Sequence, residues 1–286
     1  MNSESVRLIC FQGERGANSH VACVNAYPDM EPMPCSAFED AFLAVEDGTA
    51  MLAMIPIENS VAGRVADIHH LLPDSGLHIV GEHFERIEHQ LLVLPGTRLE
   101  DLHQVRSHVH ALGQCRNFIR SASLTPIVAA DTAGSAREIA EEKDPSIAAI
   151  ATTLAAEIYG LEILASNIED ADHNTTRFVV LSREPVDPPM HDNNTMMSFV
   201  FAVRNVPSAL YKALGGFATN GINMVKLESY QLEGSFNATQ FFADIEGHPS
   251  EERVRLAMEE LDFYTDMVKV LGTYPKADFR KTLVSS

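Results

Sequence analysis

The sequence predicts an α/β protein: two α/β lobes followed by a smaller βαββαβ unit of ferredoxin-like order. Three observations predict it. Strand-like and helix-like periodicities alternate up to about residue 180. A stretch without periodicity, Glu184-Pro185-Val186-Asp187-Pro188-Pro189-Met190-His191-Asp192-Asn193-Asn194, then reads as a linker. Beyond it the pattern changes to β-α-β-β-α-β. The implied domains are 1–183, a linker at 184–194, and 195–286.

In order, residues 6–11 read as a strand, and Ser36-Ala37-Phe38-Glu39 as a capping box opening a helix with Phe38, Phe42 and Val45 on one face. A strand from Met51 to Ile57 follows, then a helical pattern around Val65, Ile68 and Leu72, closed by Pro73-Asp74-Ser75-Gly76. The strand-like run from Leu77 to Val93 carries the chain into a second lobe. There, strands at Val105–Ser107, Ile127–Ala129 and Ile147–Ala151 alternate with helices at Leu112–Ile119, Ala133–Glu142 and Thr153–Tyr159. Arg177 to Leu181 is a strand expected to return to the first lobe. Two lobes joined by two crossings make a cleft, where small ligands usually bind.

Past the linker, strand Met197–Val203 leads to a helix presenting Ala209, Leu210, Ala213, Leu214 and Phe217, stopped by Asn220-Gly221. Strand Ile222–Tyr230, a turn at Glu233-Gly234, strand Phe236–Ile245, helix Glu251–Leu261 and strand Asp266–Gly272 complete the unit.

Composition narrows the function. The 286 residues are 45% hydrophobic and carry a formal net charge of −19, with the acidic excess concentrated before residue 195. Such a surface repels nucleic acid and anionic membranes, whose binding relies on clustered Lys and Arg. Cys10, Cys23, Cys35 and Cys115 show no CxxC spacing, and Met1-Asn2-Ser3-Glu4-Ser5 does not resemble a secretion signal. No stretch approaches the roughly 18 apolar residues of a membrane span, so a reduced, cytoplasmic protein is expected. His69-His70 and His108-x-His110 invite a metal reading, but no Cys or Asp at ligand spacing completes a set. The glycines at 13 and 16 form neither a GxGxxG nor a GxxxxGK[ST] fingerprint.

The densest chemical signal is Asn174-Thr175-Thr176-Arg177-Phe178, running into Val179-Val180-Leu181. It sets a hydroxyl beside a guanidinium able to grip a carboxylate at two points. The plain alternative is a strand edge with a solvated Arg and a core Phe. A second signal is Ile55-Pro56-Ile57-Glu58-Asn59-Ser60, whose Asn and Ser are first of all N-caps. Similar small polar junctions recur at Gly13–Ser19, Ser107–His110 and Asp131–Ser135. If the strands are parallel, these helix starts gather at one end of the sheets and favour a small molecule carrying carboxylates.

IPIENS-xx-GRV, SH-xxx-LGQC (Ser107 to Cys115), DTAG (Asp131 to Gly134), YGL-x-IL (Tyr159 to Leu164) and NTTRFVVL together resemble the prephenate dehydratases, across roughly residues 6–275. The resemblance implies a monofunctional enzyme with a bilobal, periplasmic-binding-protein-like catalytic domain and a C-terminal ACT regulatory domain. It implies decarboxylating dehydration of prephenate to phenylpyruvate in phenylalanine biosynthesis, with no cofactor and no metal.

Thr176 matches the catalytic threonine, set to hydrogen-bond or protonate the leaving hydroxyl, with Glu58 a possible proton relay. Arg177 is assigned to a substrate carboxylate and Phe178 to an apolar wall. Asn59, Ser60 and Gln114 are substrate-binding candidates, and Ser107, Thr132 and Gly134 weaker ones. Backbone N–H groups of the 13–19 loop are also expected to meet substrate, although Ala17-Asn18-Ser19 departs from the family's Gly-Thr-Phe.

The ACT resemblance implies L-phenylalanine as effector, held by Ala209, Leu210, Asn223, Met224, Glu228 and Ser229, in a homodimer or homotetramer. Two departures bear on it: Ser208 stands where the family has Gly, and Tyr230-Gln231 where it has Arg-Pro. Arogenate dehydratase is the nearest alternative. A non-catalytic amino-acid sensor is the alternative of another class, since fold alone does not fix function.

Overall fold

A computed structural model describes residues 6–65, 68–190, 194–204, 206–230 and 240–283. The first lobe opens with β1 (Leu8–Gln12), α1 (Asn18–Ala26), β2 (Glu31–Cys35), α2 (Phe38–Glu46), β3 (Leu52–Asn59), β4 (Gly63–Arg64), α3 (Ile68–Asp74) and β5 (His78–Arg86). The second holds β6 (Gln90–Val93), β7 (Gln104–His108), α4 (Val109–Gln114), α5 (Arg116–Ser121), β8 (Thr125–Ala129), α6 (Thr132–Glu142), β9 (Ile147–Ala151), α7 (Thr153–Tyr159) and β10 (Glu162–Ala165). β11 (Thr175–Ser182) returns to the first sheet, whose order is β2-β1-β3-β11-β5 with β4 paired to β3. The second sheet runs β10-β6-β9-β7-β8. β1 is parallel to β2 and β3, and β7 to β8 and β9, so the loops after β1, β3, β7 and β8 do lie at the strands' carboxyl ends.

The remaining elements are β12 (Thr195–Val203), α8 (Ala209–Thr219), β13 (Met224–Tyr230), β14 (Gln240–Glu246), α9 (Glu252–Tyr264), β15 (Thr265–Pro275) and α10 (Phe279–Leu283). Their antiparallel sheet, ordered β13-β14-β12-β15, is the ferredoxin-like arrangement. Phe199, Phe201, Phe217, Val254 and Leu261 fill the space between sheet and helices.

The chain divides into two compact units, Met1–Val65 with His83–Phe178, and Ala66–Glu82 with Val179–Ser286; the division falls within β5 and β11. Inside the second unit, the segment Ala66–Glu82 is tied to the ferredoxin-like elements. Arg280 grips the buried Glu82 carboxylate through two nitrogens, the Lys269 ammonium donates to the Pro73 carbonyl, and Tyr230 meets His70 edge-on at 5.7 Å. Gly272 lies so close to Ile79 that a Cβ there would collide with its carbonyl oxygen.

Several expectations are corrected. β2, with two prolines in five residues, gave no strand signal and sits at the sheet edge, where a missing N–H is tolerated. The α2 cap lies one residue later than expected, at Ala37, whose N–H is bound by Asp40. Leu112–Ile119 is two helices broken at Cys115, not one. Glu58-Asn59-Ser60 does not start a helix: Val61 and Ala62 turn the chain into β4, which pairs antiparallel with Glu58 and Asn59. The apolar periodicity at Ile68 and Leu72 belongs to α3, which does not include Val65. The Glu233-Gly234 turn, the Phe236 start of its strand, Gln231, His191 to Asn193 and the first five residues lie outside the described residues.

Candidate active site

The hairpin after β3 turns on one side chain. Asn59 Oδ1 accepts the backbone N–H groups of Val61 (2.9 Å) and Ala62 (2.7 Å), closing an Asx turn rather than capping a helix. Those donors are fixed, so the other end of the amide must be its NH2. Asn59 Nδ2 donates to Thr176 Oγ1 at 2.9 Å and to Asn174 Oδ1 at 2.8 Å. Ser60 clips the start of β11: its N–H donates to the Thr175 carbonyl, its hydroxyl accepts the Thr175 N–H and donates to the His173 carbonyl.

Successive residues on a strand face opposite ways. Thr176 and Asn174, the residue just before β11, both turn toward Asn59, and Arg177 faces the other way, where its guanidinium meets Glu58 at 3.1 Å. The sequence reading of a hydroxyl and an anion clamp side by side is thereby corrected. Arg177 is almost fully buried and Glu58 faces it, not Thr176. Thr176 retains 9% of its exposure, and its hydroxyl proton has no acceptor among the described residues.

From Asn174 the hydrogen bonds run into the second lobe. Asn174 Nδ2 donates to Gln114 Oε1 at 3.0 Å, and His89 Nε2 lies 2.8 Å from the same oxygen. His89, between β5 and β6, is held by its own N–H donating to Glu169. Burial pushes the imidazole below its ordinary pKa, against the smaller opposing effects of Gln114 and Glu169. Asn174 and His89 were not among the sequence candidates. Asn174 had a readable signal, being two residues from Thr176; a lone His between strands had none.

Other candidates are placed elsewhere. Ser107 is fully buried and donates to the Ile150 carbonyl. The Gly134 N–H is taken by Asp131, which caps α6, while Thr132 begins that helix half-buried. Phe178 is a core side chain at 1% exposure, not a wall of the cleft. Cys115 is buried in the second lobe's core, and burial pushes its thiol pKa up, as suits packing rather than chemistry.

The 13–19 loop fastens the lobes, and two of its glycine N–H groups are taken inside the first lobe. Gly13 N–H goes to the Cys35 carbonyl and Gly16 N–H to His20 Nδ1. Across the cleft, Thr152 donates to the Gly16 carbonyl, Tyr159 to that of Arg15, and Arg137 grips Glu14 at 2.8 and 3.0 Å. A groove of about 310 Å³ also opens in this unit, but Glu85, Glu88 and Glu157 in its lining make it unsuited to a dicarboxylate.

In the second unit the six expected effector contacts fall on several elements. A recess of about 370 Å³ beside the start of α8 is lined by Arg204, Val206, Ala209, Lys212, Phe263 and Tyr264, with Ala209 the only one of the six. Leu210 and Met224 pack on the core, Asn223 donates to Glu246, and Glu228 meets Lys226 on β13, the edge strand that also carries Ser229. Ser208 adopts the left-handed conformation (φ 65°) that its family counterpart Gly takes freely. Tyr230 is buried and accepts from Gln240 at 2.7 Å. Among the described residues no three His, Cys, Asp or Glu side chains gather as a metal set, and no helix is long and apolar enough to cross a membrane.

Comparison with known proteins agrees with this architecture. A bifunctional N-acyl-homoserine lactone acylase/prephenate dehydratase of Komagataeibacter europaeus is 50% identical over 281 residues, covering 98% of this chain and 99% of that one. An arogenate dehydratase/prephenate dehydratase of Arabidopsis thaliana is 39% identical, over 96% of this chain and 74% of its own. The crystal structure of prephenate dehydratase from Arthrobacter aurescens in complex with L-Phe superposes with a TM-score of 0.86 at 30% identity, covering 95% of this chain and 90% of that one. The prephenate dehydratase family model matches residues 9–186, and with the site lying inside that span the chain belongs to the prephenate dehydratase family.

Proposed function

We propose that the chain converts prephenate to phenylpyruvate, with Thr176 as the group that holds the departing hydroxyl. The observation that carries this is the Asn59 to Thr176 hydrogen bond: the Oγ1 lone pair is occupied by a fixed donor, so the hydroxyl proton is directed outward. In the reaction the ring C–OH bond breaks, the bond to the ring carboxylate breaks with it, and that electron pair completes the aromatic ring. One proton is taken up, and water and carbon dioxide leave.

Threonine is too weak an acid to ionise in water, and Glu58 is engaged with Arg177. Thr176 therefore acts as an oriented donor, while the Asn59 N–H stabilises negative charge that gathers on Oγ1 as the proton shifts. Gln114 supplies N–H donors to the substrate's side chain. Arg177 and Glu58 brace β11 against β3.

Residues 195–286 are assigned as an ACT domain that binds L-phenylalanine and inhibits the enzyme in a homo-oligomer. The ferredoxin-like order and the relative solved with L-Phe support that assignment. The test is turnover of prephenate and of arogenate by the whole chain, each with and without phenylalanine. An N-acyl-homoserine lactone is included because the relative from Komagataeibacter carries that activity in its name. Phenylpyruvate formation abolished by Thr176→Val supports the reading; no turnover of prephenate or arogenate refutes it.

A further inference from the structure

The hydrogen bonds from Asn59 to His89 have a defined polarity, set at one end by backbone groups that cannot turn round. Because Asn59 Oδ1 is held by the N–H groups of Val61 and Ala62, Asn59 presents NH2 to Asn174. Asn174 must then present oxygen to Asn59 and NH2 to Gln114, so Gln114 meets it with Oε1. His89 Nε2 approaches that same oxygen and must carry a proton, in the Nε2–H tautomer. Two donors converge on Gln114 Oε1. Its NH2 is left facing away, with no acceptor among the described residues.

Asn174 precedes β11 and Thr176 lies within it, both bonded to Asn59, and two residues of extended chain span about 7 Å. Prephenate carries its departing hydroxyl and its three-carbon side chain on opposite carbons of the ring. A substrate with that hydroxyl at Thr176 extends its side chain toward Gln114. Prephenate offers a keto oxygen there, which accepts hydrogen bonds; arogenate offers an ammonium, which only donates.

We infer that His89 and Asn174 are specificity-positioning residues: they lock Gln114 as a donor, so the site selects the 2-oxo acid over its 2-amino counterpart. This rests on Thr176 marking the hydroxyl end of the substrate. The magnitude follows from general behaviour: a site built to donate rejects a ligand lacking the acceptor by a larger factor than shape alone achieves, about tenfold or more. Protonating His89 leaves Nε2–H donating, so the selection persists as the imidazole titrates.

The experiment is the ratio of kcat/KM for prephenate to that for arogenate in the whole chain and four variants, each first shown to melt cooperatively. Gln114→Glu keeps an oxygen for His89 and Asn174 and replaces the outward NH2 with an acceptor. It is expected to shift the ratio toward arogenate by about 100-fold. His89→Phe preserves bulk without the donor, lets Gln114 rotate, and is expected to move the ratio toward arogenate by about tenfold, through KM for prephenate more than through kcat. His89→Gln restores a donor and is expected to restore the ratio.

Thr176→Val is the reference for the underlying reading, expected to lower both substrates alike and leave the ratio in place. If Thr176→Val is as active as the parent, the catalytic reading fails. If Thr176→Val is inactive but His89→Phe leaves the ratio unchanged, or changes it without rescue by His89→Gln, the specificity inference is overturned while the catalytic reading stands.

Discussion

Asn59 Nδ2 donates to Thr176 Oγ1 at 2.9 Å while its own oxygen is spent on the turn that carries it, so one amide both shapes the hairpin and aims the threonine hydroxyl. The two jobs separate in Asn59→Asp. Aspartate still accepts the Val61 and Ala62 N–H groups, but it offers Thr176 an acceptor and draws its proton inward. We expect kcat to fall by about 100-fold, the loss typical of one oriented donor, and the melting temperature to fall modestly, because the donor to Asn174 Oδ1 is lost as well. Steady-state kinetics beside a thermal melt checks both halves.

Glu58 distinguishes a brace from a relay. Removing it takes one carboxylate from a guanidinium that is almost fully buried. Glu58→Ala is expected to cost about 1–3 kcal/mol of stability, measured by denaturant unfolding, because a hydrogen bond to a buried charged group is lost. The folded fraction should keep kcat within about threefold. A large loss of kcat at unchanged stability would restore the relay.

Gly16 has φ 91°, and a Cβ on it would lie 2.8 Å from the Cα of Ala155 in α7. Both strain and collision fall on backbone. Gly16→Ala should destabilise by roughly 2–4 kcal/mol and weaken the Thr152 hydroxyl's bond to the Gly16 carbonyl, detected as faster hydrogen exchange at the start of α7.

Two buried histidines give the protein an acid-side weakness. Burial lowers the pKa of His20 and His89, and His20 Nδ1 must stay unprotonated to accept the Gly16 N–H. The unfolded chain therefore binds more protons than the folded one once pH falls to the ordinary histidine range, about 6.5. Stability should be full above that value and decline as pH drops toward the lowered folded pKa values. Melting temperatures across that window test it, and His20→Asn, which keeps an acceptor without titrating, should flatten the slope.

Ser208 holds a left-handed conformation at the start of α8. Ser208→Gly should raise stability of the second unit by about 1 kcal/mol, since only the β-carbon makes that conformation costly. Calorimetry of the whole chain reads the shift directly.

Much of the fold was legible because periodicity reports burial. β7, β9, α6 and α7 alternate as an α/β lobe must, and the proline-rich stretch before Thr195 marks the change of pattern that precedes β12. What escaped notice depended on partners. β2 is a strand because β1 pairs with it, despite its prolines. Asn59 and Ser60 read as a helix cap because the same side chains close Asx turns and start helices, and only β4 decides between them. At the site, Thr176, Asn59 and Gln114 were named from sequence and are joined by Asn174, whereas Arg177 was misplaced by reading neighbours in sequence as neighbours in space. His89 reaches Gln114 only through the fold.

The most direct test of the account is the initial rate of phenylpyruvate formation from prephenate by the whole chain and by Thr176→Val, which keeps the shape and removes the hydroxyl. Rapid turnover by the parent and a loss of about 1,000-fold in kcat for the variant at unchanged melting temperature are expected. A Thr176→Val variant within about tenfold of the parent would contradict it, since a donor that dispensable is not what drives the hydroxyl's departure.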